Sequence, residues 1–384
     1  MKMMRPRSAS RRRELLGELI RYDFLLAAMT LGVGLFGVLM VYSATRGRLL
    51  AAGISPHYYL DRQGLYYVLG AIVMLVIAAI DYQKLFHYGY LIYAATVLAL
   101  VAVLSPVGSS ALGSQRWFQL GPFQVQPSEF APIGVIFGLA TFVDSRDGKF
   151  SPKDIVKMLL MGGVPMVLVI KQPDLGTGIV IGVCTGIILV MAGVPGRYLI
   201  ALLVLGIVGV VGVIDLGLLK HYQLLRLLSF LNPSAQLQSS GYNLAQAKIA
   251  VGSGHLFGTG LFKGSQTNLA YVPSQQTDFI FTAVGEQLGF VGSSLLVAAY
   301  GIMVWRLWRA MRWAKDLAGT LLVAGGMAWI GFSVFENIGM SIGIMPITGI
   351  PLPLVSYGGS AMLAFFAVTG LALNVGRQRL RVRP

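Results

Sequence analysis

The chain has 384 residues, of which 55% are hydrophobic and 12% are charged, and its mean hydropathy is +0.72. Soluble domains carry roughly 25% charged residues, so this composition excludes a soluble enzyme, a disordered chain and a secreted disulfide scaffold. The lone cysteine, Cys184, excludes an internal disulfide. We therefore predict an all-α polytopic membrane protein.

Apolar segments of membrane length recur along the chain. A transmembrane helix needs about 20 mostly apolar residues to cross the hydrocarbon layer. We predict ten such helices, at 24–43, 64–80, 85–105, 127–143, 155–171, 175–193, 198–218, 278–304, 317–342 and 358–376. The basic N-terminus leads directly into the first of them without a small-residue cleavage pattern, so we expect no cleaved signal peptide.

The distribution of positive charge predicts the orientation. Ten spans place both termini on the same side of the membrane. If that side is the cytoplasm, most of the 30 Lys and Arg residues lie inside, as the positive-inside rule requires. We therefore predict one domain, 1–384, with a basic cytoplasmic segment 1–22 and a basic cytoplasmic tail 377–384. Anionic headgroups account for the net charge of +15, so no nucleic-acid partner is expected.

Three outer loops are candidates for carrying the function. The segment 219–277, before the eighth helix, is a long extracytoplasmic loop, far longer than a connection requires. Loops of this kind often hold functional residues. The loop 106–126 contains Arg116 and Trp117, and the uncharged loop 343–357 contains three prolines.

Acidic residues near or within the spans are candidate functional groups because a charge there is costly. They are Glu129, Asp174, Asp215, Asp278, Glu286 and Glu336. Asp278 enters the eighth span, where a helix N-cap and a proton-accepting or metal-binding carboxylate are both plausible. Glu286 lies about two turns deeper and is predicted to be an internal polar tie. Asp174 and Glu129 occupy positions typical of a cap and of a first-turn acid.

The outer cations and aromatics leave two interpretations open. Arg116 has the planar fork that suits a phosphate. Trp117 is either an interfacial anchor or a substrate contact. Lys171 either snorkels to the interface or meets an anionic group. There is no His/Cys cluster with metal-ligand spacing, no P-loop and no Ser-His-Asp arrangement in the sequence.

Several longer motifs point to one family. They are VYSAT (41–45), RWFQLG (116–121), QPSEF (126–130), QPDLGTG (172–178), GYNLAQAKIAVGSG (241–254), TDFIFTAVGEQLGFVG (277–292) and NIGMSIGIMPITGIPLPLVSYGGS (337–360). Over nearly its whole length the chain resembles the SEDS family of bacteria, the RodA/FtsW peptidoglycan glycosyltransferases. Its compact length makes it more similar to RodA, the elongation member, than to FtsW.

The resemblance implies a ten-helix enzyme of the cytoplasmic (inner) membrane that polymerises lipid II into glycan strands at the outer face, for cell elongation and shape. The growing glycan is transferred to the 4-hydroxyl of a GlcNAc, and undecaprenyl pyrophosphate leaves. The family's catalytic carboxylate falls on Asp278. Implied partners are a class B penicillin-binding protein, which is a transpeptidase, and other elongation-complex membrane proteins. One position departs from the family pattern: Pro132 stands where the family usually has a Lys, three residues after the Glu of QPSE.

These residues give a hypothesis for the chemistry. Asp278 is assigned as general base and as a candidate ligand of Mg²⁺ or Mn²⁺, because a base promotes attack by a hydroxyl and a cation stabilises the leaving pyrophosphate. The substrate-binding residues are predicted to be Arg116, Trp117, Lys171, Arg48 and Lys248, and the supporting residues Glu129, Asp174, Glu286 and Thr277. Two alternatives remain open: a lipid II flippase, and a non-catalytic scaffold for a transpeptidase.

Overall fold

The computed structural model describes residues 23–106, 108–111, 114–121, 123–146, 150–215 and 240–378. The predicted N-terminal segment, the first part of the predicted 219–277 loop and nearly all of the predicted C-terminal tail lie outside the described residues. Within the described part, the chain forms thirteen helices and three strands. In order they are α1 (Phe24–Ala51), α2 (Tyr58–Ala79), α3 (Tyr82–His87), α4 (Gly89–Val103), β1 (Ser109–Ala111), β2 (Ser114–Leu120), β3 (Phe123–Val125), α5 (Pro127–Asp144), α6 (Pro152–Lys171), α7 (Leu175–Met191), α8 (Gly196–Asp215), α9 (Ser240–Ser253), α10 (Ser265–Asn268), α11 (Ile280–Arg312), α12 (Leu317–Ile342) and α13 (Gly359–Arg377).

The predicted helical membrane fold is confirmed. Each of the ten predicted segments coincides with a helix, although the third is divided at Tyr88 into α3 and α4. Among the described residues, α1, α2, α11, α12 and α13 are each long and apolar enough to cross a membrane by themselves. The count of ten spans stays a prediction.

Two of the predicted outer loops contain regular structure, so the all-α prediction was incomplete. The segment 106–126 holds a small antiparallel sheet in the order β1-β2-β3. Trp117 pairs with Ser109 and Phe118 pairs with Val125. Gly121, with φ +59°, lies in the turn between β2 and β3, a conformation that glycine adopts without strain. The predicted 219–277 loop contains α9 and α10.

Helices α12 and α13 lie at the centre of the bundle. Helix α13 packs along α2, and α12 packs against α5, α7 and α11. Trp329 and Phe365 are buried between the central helices, with ring centroids 4.9 Å apart. Helix α2, in contrast, exposes large apolar side chains such as Leu75, which is 61% exposed. An apolar exterior of this kind fits contact with lipid.

Helix α11 is interrupted at Gly289, which has φ 64° and ψ −162°. The preceding segment crosses the break and satisfies the backbone there: Phe290 N donates to His255 O at 2.9 Å, and Thr259 N donates to Glu286 O at 2.9 Å. Only glycine fits, because a Cβ on Gly289 would overlap the backbone of Gly258. The break separates a short outer half, which follows Asp278, from the long inner half of the helix.

Candidate functional site

A cavity of about 990 Å³ opens at the end of the bundle where the three predicted outer loops meet. Its walls come from the start of α2, strands β2 and β3, the first turn of α5, the α6–α7 connection and the segments that precede α11 and α13. Six of the ten predicted site residues line it: Arg116, Trp117, Glu129, Asp174, Thr277 and Asp278. Residues up to 300 positions apart in the chain therefore share one polar chamber.

The backbone around Asp278 is fixed from three sides. The Asn337 side-chain amide donates to Asp278 O at 2.8 Å, and Asp278 N donates to Ser274 O at 3.1 Å. Just before it, the Ser356 hydroxyl donates to Thr277 O at 2.5 Å. These bonds tie the carboxylate-bearing turn to α12 and to the segment between α12 and α13.

The interpretation of Asp278 as the N-cap of the eighth predicted helix was wrong. The N-cap residue of α11 is Phe279, and its side chain makes no capping bond. Asp278 lies one position earlier, in the cavity wall. The reason is local: the turn from Ser274 to Asp278 is closed by its own backbone hydrogen bonds, which delays the helix by two residues.

Arg116 is positioned by the backbone of the α6–α7 connection. Its Nε donates to Gln172 O at 2.6 Å, and one of its terminal nitrogens donates to Pro173 O. Pro173 has φ 32°, an unusual conformation that turns both carbonyls toward the guanidinium. These two bonds use two of the five N–H donors and fix the plane of the group.

Asp174 lies beside this turn and joins α5 to α7. It is the N-cap of α7, accepting from Thr177 N at 3.1 Å. Its other oxygen accepts from the Ser128 hydroxyl at 3.1 Å and from the Gln126 amide at 3.3 Å. With both oxygens accepting hydrogen bonds, the Asp174 side chain joins the start of α5 to the start of α7 and so stabilises this wall of the cavity.

Glu129 faces the same cavity from the first turn of α5 and is partly exposed. It lies within electrostatic range of Asp174, Arg116 and Asp278. No described Lys or Arg lies within ion-pair distance of it. Pro132, which takes the place of the usual basic residue, is buried inside α5. The negative potential at this wall is therefore offset chiefly by Arg116.

Sequence reasoning missed the cationic and aromatic wall formed by α2. Arg62 lines the cavity, with its guanidinium 4.3 Å from the ring centroid of Tyr58. It faces the Tyr357 hydroxyl. Burial raises the pKa of Tyr357 to about 12, so this phenol is neutral at physiological pH. The available signal was an arginine between aromatic residues at the outer start of a predicted span.

Four predicted site residues lie outside the cavity lining. Lys171 is an exposed residue in the last turn of α6, beside the turn that holds Arg116. Arg48 is exposed and stacks 5.9 Å from the ring centroid of Tyr59. Lys248 lies against Gly343, the C-cap of α12, where a cation complements the helix dipole.

Glu286 is the fourth, and its contacts are those of a structural tie. It is fully buried and accepts from Gln266 N at 2.7 Å, from Thr267 N at 2.9 Å and from the Thr267 hydroxyl at 2.5 Å. A carboxylate with three donors is stable in a buried position. Glu286 therefore secures α10 against the outer half of α11.

The fit of a divalent cation can be judged from the side chains present. Among the described residues, no three His, Cys, Asp or Glu side chains converge to form a metal site. Mg²⁺ is commonly bound by one or two carboxylates together with water and substrate phosphates. Asp278 contributes a carboxylate to the cavity lining, and this fits that mode of binding.

The family model for the FtsW, RodA and SpoVE proteins, described as "Cell cycle protein", matches residues 23–381. This chain belongs to that family. Stage V sporulation protein E of Bacillus subtilis is 35% identical over 359 residues, covering 92% of this chain and 97% of the relative. Peptidoglycan glycosyltransferase MrdB of Escherichia coli K12 is 36% identical over 312 residues, covering 81% and 84%.

Solved structures of the FtsW/RodA/SpoVE family share the fold. Rod shape determining protein RodA of Thermus thermophilus aligns with a TM-score of 0.68 and 28% identity, covering 94% of this chain and 98% of that one. A chain from a study of the structural coordination of polymerization and crosslinking by a peptidoglycan synthase complex aligns with a TM-score of 0.78 and 29% identity, covering 94% and 99%. The overall arrangement of the helices is thus shared with these structures.

Proposed function

We propose that this protein is a peptidoglycan glycosyltransferase that polymerises lipid II at the outer face of the cytoplasmic membrane and supports cell elongation. The observation that carries the proposal is Asp278, held by its backbone in the wall of a cavity that also contains Arg116 and Arg62. Polymerisation needs a base near an acceptor hydroxyl and cations near a pyrophosphate. Family membership and the relatives named as glycosyltransferases support the same activity.

The reaction assigns separate tasks to these side chains. The acceptor 4-hydroxyl is a weak nucleophile, and Asp278 takes its proton as the hydroxyl attacks the anomeric carbon of the lipid-linked glycan; positioned general bases typically contribute ~10²–10⁴-fold. The bond to the pyrophosphate breaks and undecaprenyl pyrophosphate leaves. Arg116 and Arg62, which both line the cavity, stabilise the negative charge that develops on the departing phosphates.

The proposal includes a divalent cation, Mg²⁺ or Mn²⁺, of which Asp278 would be a ligand. When bound, it supplies additional charge stabilisation to the pyrophosphate. Among the protein side chains, Asp278 would hold the cation, in the mode in which Mg²⁺ is bound by a carboxylate together with water and substrate phosphates. Arg116 keeps its own place, because backbone carbonyls and not a carboxylate hold it.

The remaining parts of the proposal concern the setting of the enzyme. Both termini are cytoplasmic, and the cavity faces outward, where the pyrophosphate and glycan parts of the substrate lie. The polyprenyl tail lies along apolar grooves between helices, which require no polar contact. The partner is a class B penicillin-binding protein within an elongation complex, a pairing supported by the structural neighbour from a peptidoglycan synthase complex.

The test is a glycan-ladder assay with labelled lipid II. The purified protein, with its transpeptidase partner and Mg²⁺ or Mn²⁺, is expected to give a ladder that disappears in Asp278→Ala. Asp61→Ala is the matched control, because Asp61 is an exposed carboxylate in the first turn of α2 outside the cavity lining. A ladder that persists in Asp278→Ala, or a wild-type protein that forms no ladder, would refute the proposed polymerase activity. The flippase or the scaffold would then be the preferred function.

A further inference from the structure

Helix α12 carries a buried polar face that the proposed reaction does not use. Ser333, Glu336 and Asn337 are 0%, 1% and 0% exposed. Their spacing of three and one residues places them on one side of the helix. A carboxylate inside a membrane bundle is costly, and such groups commonly mark a bound ion or a proton.

The oxygens on this face have few hydrogen-bond partners. Ser333 Oγ, both Glu336 carboxylate oxygens, Asn337 Oδ1 and Thr348 Oγ1 are buried without a hydrogen-bond partner among the described residues. Thr348, which follows α12, faces the Glu336 carboxylate without completing a bond of normal geometry. These five oxygens, on four residues, belong to α12 and to the segment that packs against it, and buried polar groups without partners at one contact call for a ligand.

The chemistry of the cluster selects the kind of ligand. Both Glu336 oxygens and Asn337 Oδ1 can only accept, since the Asn337 amide nitrogen already donates to Asp278 O and to Ile350 O, each at 2.8 Å. One added proton serves one of these oxygens, whereas a cation accepts several oxygen ligands at once. An all-oxygen shell suits a hard cation. A single carboxylate balances one positive charge, which distinguishes this cluster from a divalent cage.

We propose that Ser333, Glu336, Asn337 and Thr348 bind a monovalent alkali cation between α12 and the segment that leads to α13. Oxygen ligands from a helix and from the irregular segment packed against it are a donor set suited to an alkali cation. Thr348 lines the cavity, which gives the ion a route from outside. The bound ion fastens α12, whose Asn337 holds the backbone of Asp278, to the cavity wall.

Binding is tested without any enzymatic readout, so the result does not depend on the glycosyltransferase proposal. The full chain is purified in sodium- and potassium-free buffer, and Tm is measured while NaCl or KCl replaces N-methylglucamine chloride at constant ionic strength. We expect a saturable rise of a few degrees with Na⁺ or K⁺, because a ligand that binds only the folded state stabilises it.

Three variants make the test specific. Glu336→Gln and Thr348→Val are expected to abolish the cation-dependent rise. Glu286→Gln is the matched control: this carboxylate is equally buried but has its own three donors, so the variant is expected to keep the rise from a lower baseline Tm. If Glu336→Gln does not fold, Thr348→Val and Ser333→Ala give the same comparison.

The proposal is overturned if the Tm of the wild type does not rise when Na⁺ or K⁺ replaces N-methylglucamine. It is overturned equally if Glu336→Gln keeps the full cation-dependent rise in Tm. It is also overturned if Mg²⁺ alone produces the shift. Radioactive ²²Na⁺ binding to the folded wild type gives a direct measurement. One site that excess unlabelled NaCl displaces and Glu336→Gln lacks supports the proposal, and the absence of displaceable binding overturns it.

Discussion

Asp278 and Glu286 belong to the same sequence motif, yet their surroundings give them different tasks. Glu286 is buried and its oxygens accept three hydrogen bonds. Asp278 lies in the wall of the cavity, where it is fixed through its backbone. Asp278 therefore contributes a carboxylate to the cavity lining, whereas the Glu286 carboxylate holds α10 against α11.

Replacing Glu286 therefore tests structure rather than chemistry. Glu286→Ala leaves the Gln266 and Thr267 donors buried without partners, and a buried unsatisfied donor costs roughly 1–3 kcal/mol. We expect a clear fall in Tm, with a smaller fall for Glu286→Gln, which retains an acceptor. Thermal unfolding of the purified variants measures this. A Tm equal to that of the wild type would contradict the tie between α10 and α11.

Arg116 is expected to resist even a conservative change. Lysine cannot bond both Gln172 O and Pro173 O while presenting a planar fork to a phosphate. We predict that Arg116→Lys loses at least tenfold in kcat/KM for lipid II, whereas Arg197→Lys, at an exposed position at the start of α8, does not. Initial rates over a range of lipid II concentrations give kcat/KM for each variant. Equal kcat/KM values for the two variants would show that Arg116 does not act on the substrate.

The sequence predicted individual site residues only where local pattern and chemistry coincide. Arg116 and Asp174 occur in predicted outer connections, Asp278 begins the eighth predicted span, and all three line the cavity. Lys248 has similar chemistry, but its helix directs it to the C-cap of α12. Arg62 was missed, because its place in the cavity lining arises only from the packing of α2 against α13.

At the scale of elements, the interruption of α11 is the feature on which the site most depends. The segment 255–260 bonds to both edges of the break, and Gly289 has a positive φ with no room for a side chain. The outer half of α11, which follows Asp278, is therefore oriented by this contact.

A glycine pair in the same helix tests the interruption. Gly289→Ala places a Cβ against Gly258 and strains the backbone, so we expect a large loss of Tm and of polymerisation. Gly301→Ala meets nothing within 4 Å and is expected to be neutral or slightly stabilising. Both variants are compared by thermal unfolding and by the glycan ladder. Equal behaviour would show that the break does not depend on glycine.

Hydropathy predicted the helices well, but it could not predict this interruption. The apolar pattern continues through Gly289, so a continuous span was expected from 278 to 304. Helix α9 and the β1-β2-β3 sheet were also missed, since their short segments are stabilised by contacts with the bundle and not by a periodic pattern of their own.

At the scale of the molecule, apolar and polar surfaces are segregated. The exterior of the bundle exposes large apolar side chains, while the polar cavity lies at the end where the outer segments meet. This arrangement suits a substrate with an apolar tail and a charged, glycosylated head. No single segment of sequence contains the cavity, which explains why its composition could be predicted only in part.

The central claim is that the carboxylate of Asp278 acts on a substrate bound in this cavity. Asp278→Asn preserves size and removes the charge, so substrate binding and turnover can be compared in the same folded protein. We predict that labelled lipid II binds this variant within a fewfold of the wild-type affinity, while glycan-ladder formation falls by ~10² or more. A ladder at the wild-type rate from the folded Asp278→Asn variant would contradict the account.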